Sequence, residues 1–161
     1  MGIFDWFSKP KSNVDVLNDM MWLTKQAKFA GISAATAQCL AEPERPFAVL
    51  LVALFQDCLV ELQAIVERNH FDQKRVVTTL AEQLSGRAMS TASSDYSQSI
   101  MIIVAERHPI QAHNAAIAEF AQTLPCHCQL VHHISLEDPL LQMFSSEWVQ
   151  NILQQLGMKE D

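Results

Sequence analysis

Apolar residues fall along this chain in two kinds of run. Phe47-Ala-Val-Leu-Leu-Val-Ala-Leu-Phe55 is continuous, without polar alternation, and is bounded by Pro46 and Gln56-Asp57. Ser99-Ile-Met-Ile-Ile-Val-Ala105 has the same character. A strand packed on both faces reads this way. Cys126–Ser135 is predicted as a third strand. The other kind of run has helical spacing. Lys25–Ala41 is predicted as a helix, with Thr24 as its N-cap and Glu42-Pro43 as its stop. Asp57–Arg68 places Leu59, Leu62, Ile65 and Val66 on one face, and Asn69 ends it. Pro109–Leu124 places Ile117, Phe120, Ala121 and Leu124 together, with Pro109 in its first turn and Pro125 as its stop. Asp138-Pro139 opens a short helical turn to Phe144, which Glu137-Asp138 are expected to cap. A last helix over Ser146–Leu156 turns Trp148, Val149, Ile152, Leu153 and Leu156 inward, and Gly157 stands at its C-terminal cap. Arg75–Leu80 reads as a strand or as the start of a helix through Leu84. Ser85–Ser99, rich in Ser, Thr and Ala, reads as a mobile loop.

Buried strands alternating with helices predict an α/β domain of three layers. Its sheet is mostly parallel, with helices on both faces. The expected organisation is an N-terminal extension over 1–20, flexible or amphipathic, followed by one domain over 21–161. The extension carries Ile3, Phe4, Trp6 and Phe7 beside Lys9 and Lys11, a candidate contact with a membrane surface. Its apolar stretch is short and contains Asp5, so it does not read as a signal peptide. The run at Phe47–Phe55 falls far short of the ~20 residues that span a bilayer.

Composition narrows the function classes. The chain has 161 residues, 49% hydrophobic and 18% charged, with a net charge of -7. This length supports one self-sufficient core. The acidic balance argues against general nucleic-acid binding, which needs a basic face for phosphates. The four cysteines, Cys39, Cys58, Cys126 and Cys128, are expected as reduced thiols in the cytoplasm.

The segment from Gln129 reads Gln-Leu-Val-His-His-Ile-Ser-Leu-Glu-Asp138, continues to Phe144, and closes on Leu156-Gly-Met-Lys-Glu-Asp161. It resembles the end of the second RecA-like lobe of SecA, the motor ATPase of bacterial preprotein translocation. There a strand is followed by Ser-Leu-Glu-Asp, Leu-Met-x-x-Phe and Leu-Gly-Met-x-Glu-Asp. Ala105-Glu-Arg-His108 is similar to the Thr-Glu-Arg-His of that lobe. Thr24-Lys-Gln-Ala-Lys-Phe29, with its helix and the strand after Pro46, is similar to the lobe's entry. The resemblance covers most of 22–161 and is densest from Gln129 onward. It implies a RecA-like, P-loop NTPase-type second lobe without the first lobe.

The departures from SecA bear on function. The SecA helix after Glu-Arg-His carries Gln-x-Arg-Gly-Arg-x-Gly-Arg-Gln-Gly-Asp, whose arginines reach the ATP phosphates. The corresponding stretch here, Asn114–Cys128, holds no Arg, Lys or Gly. The SecA motif Thr-x-Met-Ala-Gly-Arg-Gly-Thr-Asp is reduced to Ser85-Gly86-Arg87. No Walker A sequence, Gly-x-x-x-x-Gly-Lys-Ser/Thr, occurs, so no phosphate-cradling loop is predicted. ATP is therefore not supported as a cofactor, and no catalytic residue is assigned.

Glu106, Arg107 and His108 follow a buried strand, at the edge where ligands bind open α/β sheets. They are candidates for contact with a nucleotide or a partner. Alternatively they hold the fold, with Arg107 paired to a carboxylate and His108 capping the next helix. Cys126, Cys128 and His132 share one strand face and are the only metal candidates. Cys126 and His132 are ~20 Å apart by strand rise, too far for one ion unless the strand bends; the alternative is that the cysteines pack as small apolar groups. The expected function is a non-catalytic SecA-like module for protein interaction or regulation, linked to export. It would act with a protein partner or as a homodimer, in the cytoplasm and at most peripherally at the inner membrane. Two alternatives stand beside it: a translocase subunit completing an ATP site in trans with a P-loop lobe, and a zinc or thiol site at Cys126–His133.

Overall fold

The structure, a computed structural model, describes residues 12–42, 47–84 and 99–142, together with 152 and 155. The aromatic segment at Ile3–Phe7, residues 85–98 of the predicted loop and all of the last predicted helix except Ile152 and Gln155 lie outside the described residues. The strands are β1 (Val14–Val16), β2 (Met20–Trp22), β3 (Phe47–Ala53), β4 (Val76–Leu80), β5 (Ser99–Val104) and β6 (Cys128–Ser135). The helices are α1 (Lys25–Ala41), α2 (Gln56–Arg68), α3 (Gln111–Gln122) and the single turn α4 (Pro139–Gln142). The sheet order is β1-β6-β5-β3-β4, and β2 also pairs with β6. Every pairing among these strands is parallel. The chain is an α/β domain, as its pattern predicts.

The continuous apolar runs occupy the centre of the sheet because both their faces are covered. On one face Val49, Leu51, Ala53 and Ile103 pack with Ile32 of α1 and Leu59, Leu62, Ile65 and Val66 of α2. On the other, Leu50, Val52, Ile102 and Val104 pack with Ile117 and Ala121 of α3. Arg75–Leu80 resolves as a strand, followed by a turn of 3-10 helix over Ala81–Gln83. Among the described residues no helix is long and apolar enough to cross a membrane.

Two helix ends show how local chemistry sets boundaries. Thr24 caps α1 as expected, its Oγ1 accepting from the Ala27 N–H at 3.1 Å. After α2, the Phe71 N–H donates to the Val66 carbonyl and the His70 N–H to the Glu67 carbonyl. This is the Schellman pattern, and it holds His70 in the left-handed region at φ 52°.

Residues 14–16 and 20, placed by their pattern in an extension, are strand. Val14–Val16 runs beside Cys128–Leu130, and Met20–Trp22 runs beside His133–Ser135. Three residues separate the two strands where β6 has only two, so the chain bulges at Leu17–Asp19. Asn13 ties down the start, donating to the carbonyls of Leu124 at 2.8 Å and Cys126 at 3.0 Å.

Candidate functional site

The path of the chain reverses between β3 and β5. From β3 it passes through α2 outward to β4; from β5 it passes through α3 the other way to β6. The carboxyl ends of β3 and β5 therefore flank the topological switch point, where ligands of such sheets bind. Leu54 and Phe55 leave β3 there, and Glu106, Arg107 and His108 follow β5.

The structure occupies this position with the protein's own carboxylate. Glu106 Oε1 accepts from the N–H groups of Leu54 at 2.9 Å and Phe55 at 3.0 Å. Those donors lie at the start of α2, where the helix dipole favours negative charge. Phe55, the residue before α2, offers no side-chain cap, and Glu106 instead binds the N–H of Phe55 and of Leu54 just ahead of the helix. Glu106 is buried. Burial raises its carboxyl above the usual range, against the pull of these two N–H groups.

Arg107 and His108 are also engaged within the chain. Arg107 grips Asp19 in a bidentate pair, Nε to Oδ2 at 2.8 Å and Nη2 to Oδ1 at 2.7 Å. The hydrogen bond from Arg107 lowers the Asp19 carboxyl below its ordinary value. This pair fastens the β5 end to the bulge between β1 and β2. His108 Nδ1 accepts from the Ile110 N–H at 3.0 Å, and Asn114 bonds both backbone groups of His108. The Phe55 ring stacks on His108 with centroids 5.5 Å apart, and His113 meets the His108 ring at a tilt with centroids 4.1 Å apart. Pro109 and Ile110 therefore form a capped turn, and α3 starts at Gln111 rather than at Pro109.

The metal candidates are not brought together. Cys126 and Cys128 sit under α3 in the core, and burial pushes the Cys128 thiol up to about 12. His132 stands four residues further along β6, about 13 Å away by strand rise. It faces Asp19, with Nδ1 3.8 Å from Oδ1. Among the described residues no three His, Cys, Asp or Glu side chains are grouped to hold a metal ion. His133, on the opposite face, accepts from Trp22 Nε1 at 3.2 Å and stacks on its ring.

One buried pair gave no signal in the sequence. Lys28, 1% exposed, donates to Asp138 Oδ1 at 2.6 Å. The same carboxylate accepts from the Ser135 N–H at 2.8 Å. Glu137 Oε2 accepts from the Lys25 N–H at 2.7 Å. Glu137 and Asp138 thus reach across to α1, correcting the expectation that their side chains cap the turn at Pro139. The backbone carbonyl of Asp138 serves that turn instead. Two stretches that carry the SecA resemblance, Thr24–Phe29 and Ser135–Asp138, meet in space through these bonds.

Fold and site together define the class: an α/β domain with a parallel sheet whose backbone donors at the switch point are taken by an internal carboxylate. Neither a protein-family model nor a curated protein matches the chain.

Proposed function

We propose that this domain is a non-catalytic, SecA-like module that binds another protein and plays an interaction or regulatory part in export. One observation carries the reading. The backbone donors at the switch point are taken by Glu106, and the neighbouring Arg107 is held by Asp19. A phosphate arriving there would have to displace a buried carboxylate from both donors. It would also meet that carboxylate's charge. The contact between Thr24–Phe29 and Ser135–Asp138 supports the family reading, because the matched stretches form one structural unit.

The split edge supports a protein as the partner. Val16, Met20 and Met21 are exposed on strands that pair with β6 on one side, and Leu17 is exposed in the bulge between them. An apolar edge strand is a template for pairing with a further strand. Replacing Val16 and Met21 with Lys blocks such pairing while leaving the core untouched. The test is affinity capture with the wild-type domain and with Val16→Lys/Met21→Lys, followed by binding of the purified partner and by sedimentation of each domain alone. A protein, or a second copy, bound by the wild type and weakened at least tenfold by the variant supports the reading. Equal binding by both, or a strict monomer that retains nothing, contradicts it.

A further inference from the structure

We propose that the cleft between α1 and α2 binds a small organic cation, an aromatic or alkyl amine whose charged head meets Glu106 and whose apolar body lies between the helices. The cleft encloses about 990 Å³ at the carboxyl edge of the sheet, within the usual range for small-molecule sites. Phe29 and Ala30 of α1, Ile65 of α2 and the exposed ring of Phe55 line it. Its floor is polar and buried: Glu106, Cys58 and the Lys28–Asp138 pair.

The charge of the floor sets the sign of the ligand. Two buried carboxylates, Glu106 and Asp138, face one buried ammonium, Lys28. That ammonium is already bonded to Asp138 at 2.6 Å. On the rim, Lys25 and Arg68 are matched by Asp57 and Glu61, and charges in contact with water are screened. The floor therefore holds one more carboxylate than ammonium, and burial of that carboxylate is opposed only by hydrogen bonds from neutral groups and by Lys28, which Asp138 shares. Glu106 Oε1 carries both backbone hydrogen bonds and the Cys58 thiol also bonds the carboxylate, which still leaves it acceptor capacity for a further donor. The Cys58 thiol lies beside the carboxylate and stays protonated, its value pushed up to about 12, mainly by burial. It is a neutral wall of the cleft and not a nucleophile. An ammonium at Glu106 supplies the missing positive charge, and the aromatic walls favour a flat apolar body behind it.

The test is a titration of the isotope-labelled full chain, followed by amide NMR, with phenethylamine as the probe. The neutral 2-phenylethanol and the anionic 3-phenylpropionate serve as isosteric controls. The expected result is saturable binding of phenethylamine at least tenfold tighter than either control. The Leu54, Phe55 and Cys58 amides should shift. Glu106→Gln should abolish the preference for the amine while keeping an acceptor for the two backbone donors. Should that variant fail to fold, Ala30→Trp fills the cleft from an exposed position, and loss of binding in it supports the site. Binding of all three probes alike, no saturable binding of the amine, or amine binding unchanged by a folded Glu106→Gln or by Ala30→Trp overturns the proposal.

Discussion

His132 and His133 sit side by side on β6 and differ in their surroundings, yet burial acts on both alike. Both rings are 3% exposed, and desolvation brings both down to about 4. An unfolded histidine titrates near 6.5. Between about pH 6.5 and pH 4 the unfolded chain therefore binds protons that the folded chain refuses, so stability falls as the pH falls through that window. Each histidine contributes up to about 3 kcal/mol to the loss. Glu106 acts in the opposite sense: its raised value removes stability as pH rises through the carboxylate range. The two groups differ in how replacement acts. His133 accepts the Trp22 bond, whereas neither ring nitrogen of His132 has a hydrogen-bond partner among the described residues. His132→Leu is expected to raise stability at pH 7 by about 1–2 kcal/mol and to flatten the acid limb of a urea-denaturation series. A steeper acid limb in the variant would contradict this. Asp138→Asn leaves Lys28 buried and unpaired, with an expected loss of about 3–5 kcal/mol in the same assay. His70→Gly relieves the left-handed conformation at φ 52° and is expected to gain about 0.5–1 kcal/mol.

At the scale of elements, α1 and β2 meet at a close approach of Gly31 to Trp22. A Cβ on Gly31 would overlap the indole of Trp22, the ring that stacks on His133. Gly31→Ala gains about 1 kcal/mol of helix propensity, but overpacking costs about 1–3 kcal/mol. The net effect expected is destabilisation, with Trp22 displaced from His133. Loss of the Trp22–His133 contact in NMR, together with a lower denaturation midpoint, checks it; an unchanged contact counts against it. The same region shows where sequence reading stops. β3 and β5 were legible because burial on both faces leaves long uninterrupted apolar runs. α1 was legible from Thr24 at its start and Glu42-Pro43 at its end. β1 and β2 are three residues each, largely exposed, and joined by the polar Asn18-Asp19 at a bulge. Their order comes from pairing with β6, more than 100 positions away, and no local pattern encodes that. Glu106, Arg107 and His108 were visible as a site through their place after a strand. Their partners Leu54, Phe55 and Asp19 were not, because the topology of the sheet selects them. Lys28 reads as a solvated helix residue until the fold places Asp138 against it.

Across the whole molecule, parallel strands gather the loops after β3, β5 and β6 at one edge, and these loops are stitched together from within. Glu106 joins the β5 end to α2, Arg107 joins it to the β1–β2 bulge, and Asp138 joins the β6 end to α1. The backbone donors of Leu54 and Phe55 and the side chains of Arg107 and Asp138 are thereby engaged within the chain. The most direct measurement follows the Leu54 and Phe55 amides by NMR while Mg-ATP is added to millimolar levels, alone and with a motor lobe that carries a P-loop. The predicted result is that neither amide moves in either arm, because Glu106 retains both hydrogen bonds. A saturable shift of these two amides, in either arm, would show that nucleotide reaches the switch point and would contradict a non-catalytic module.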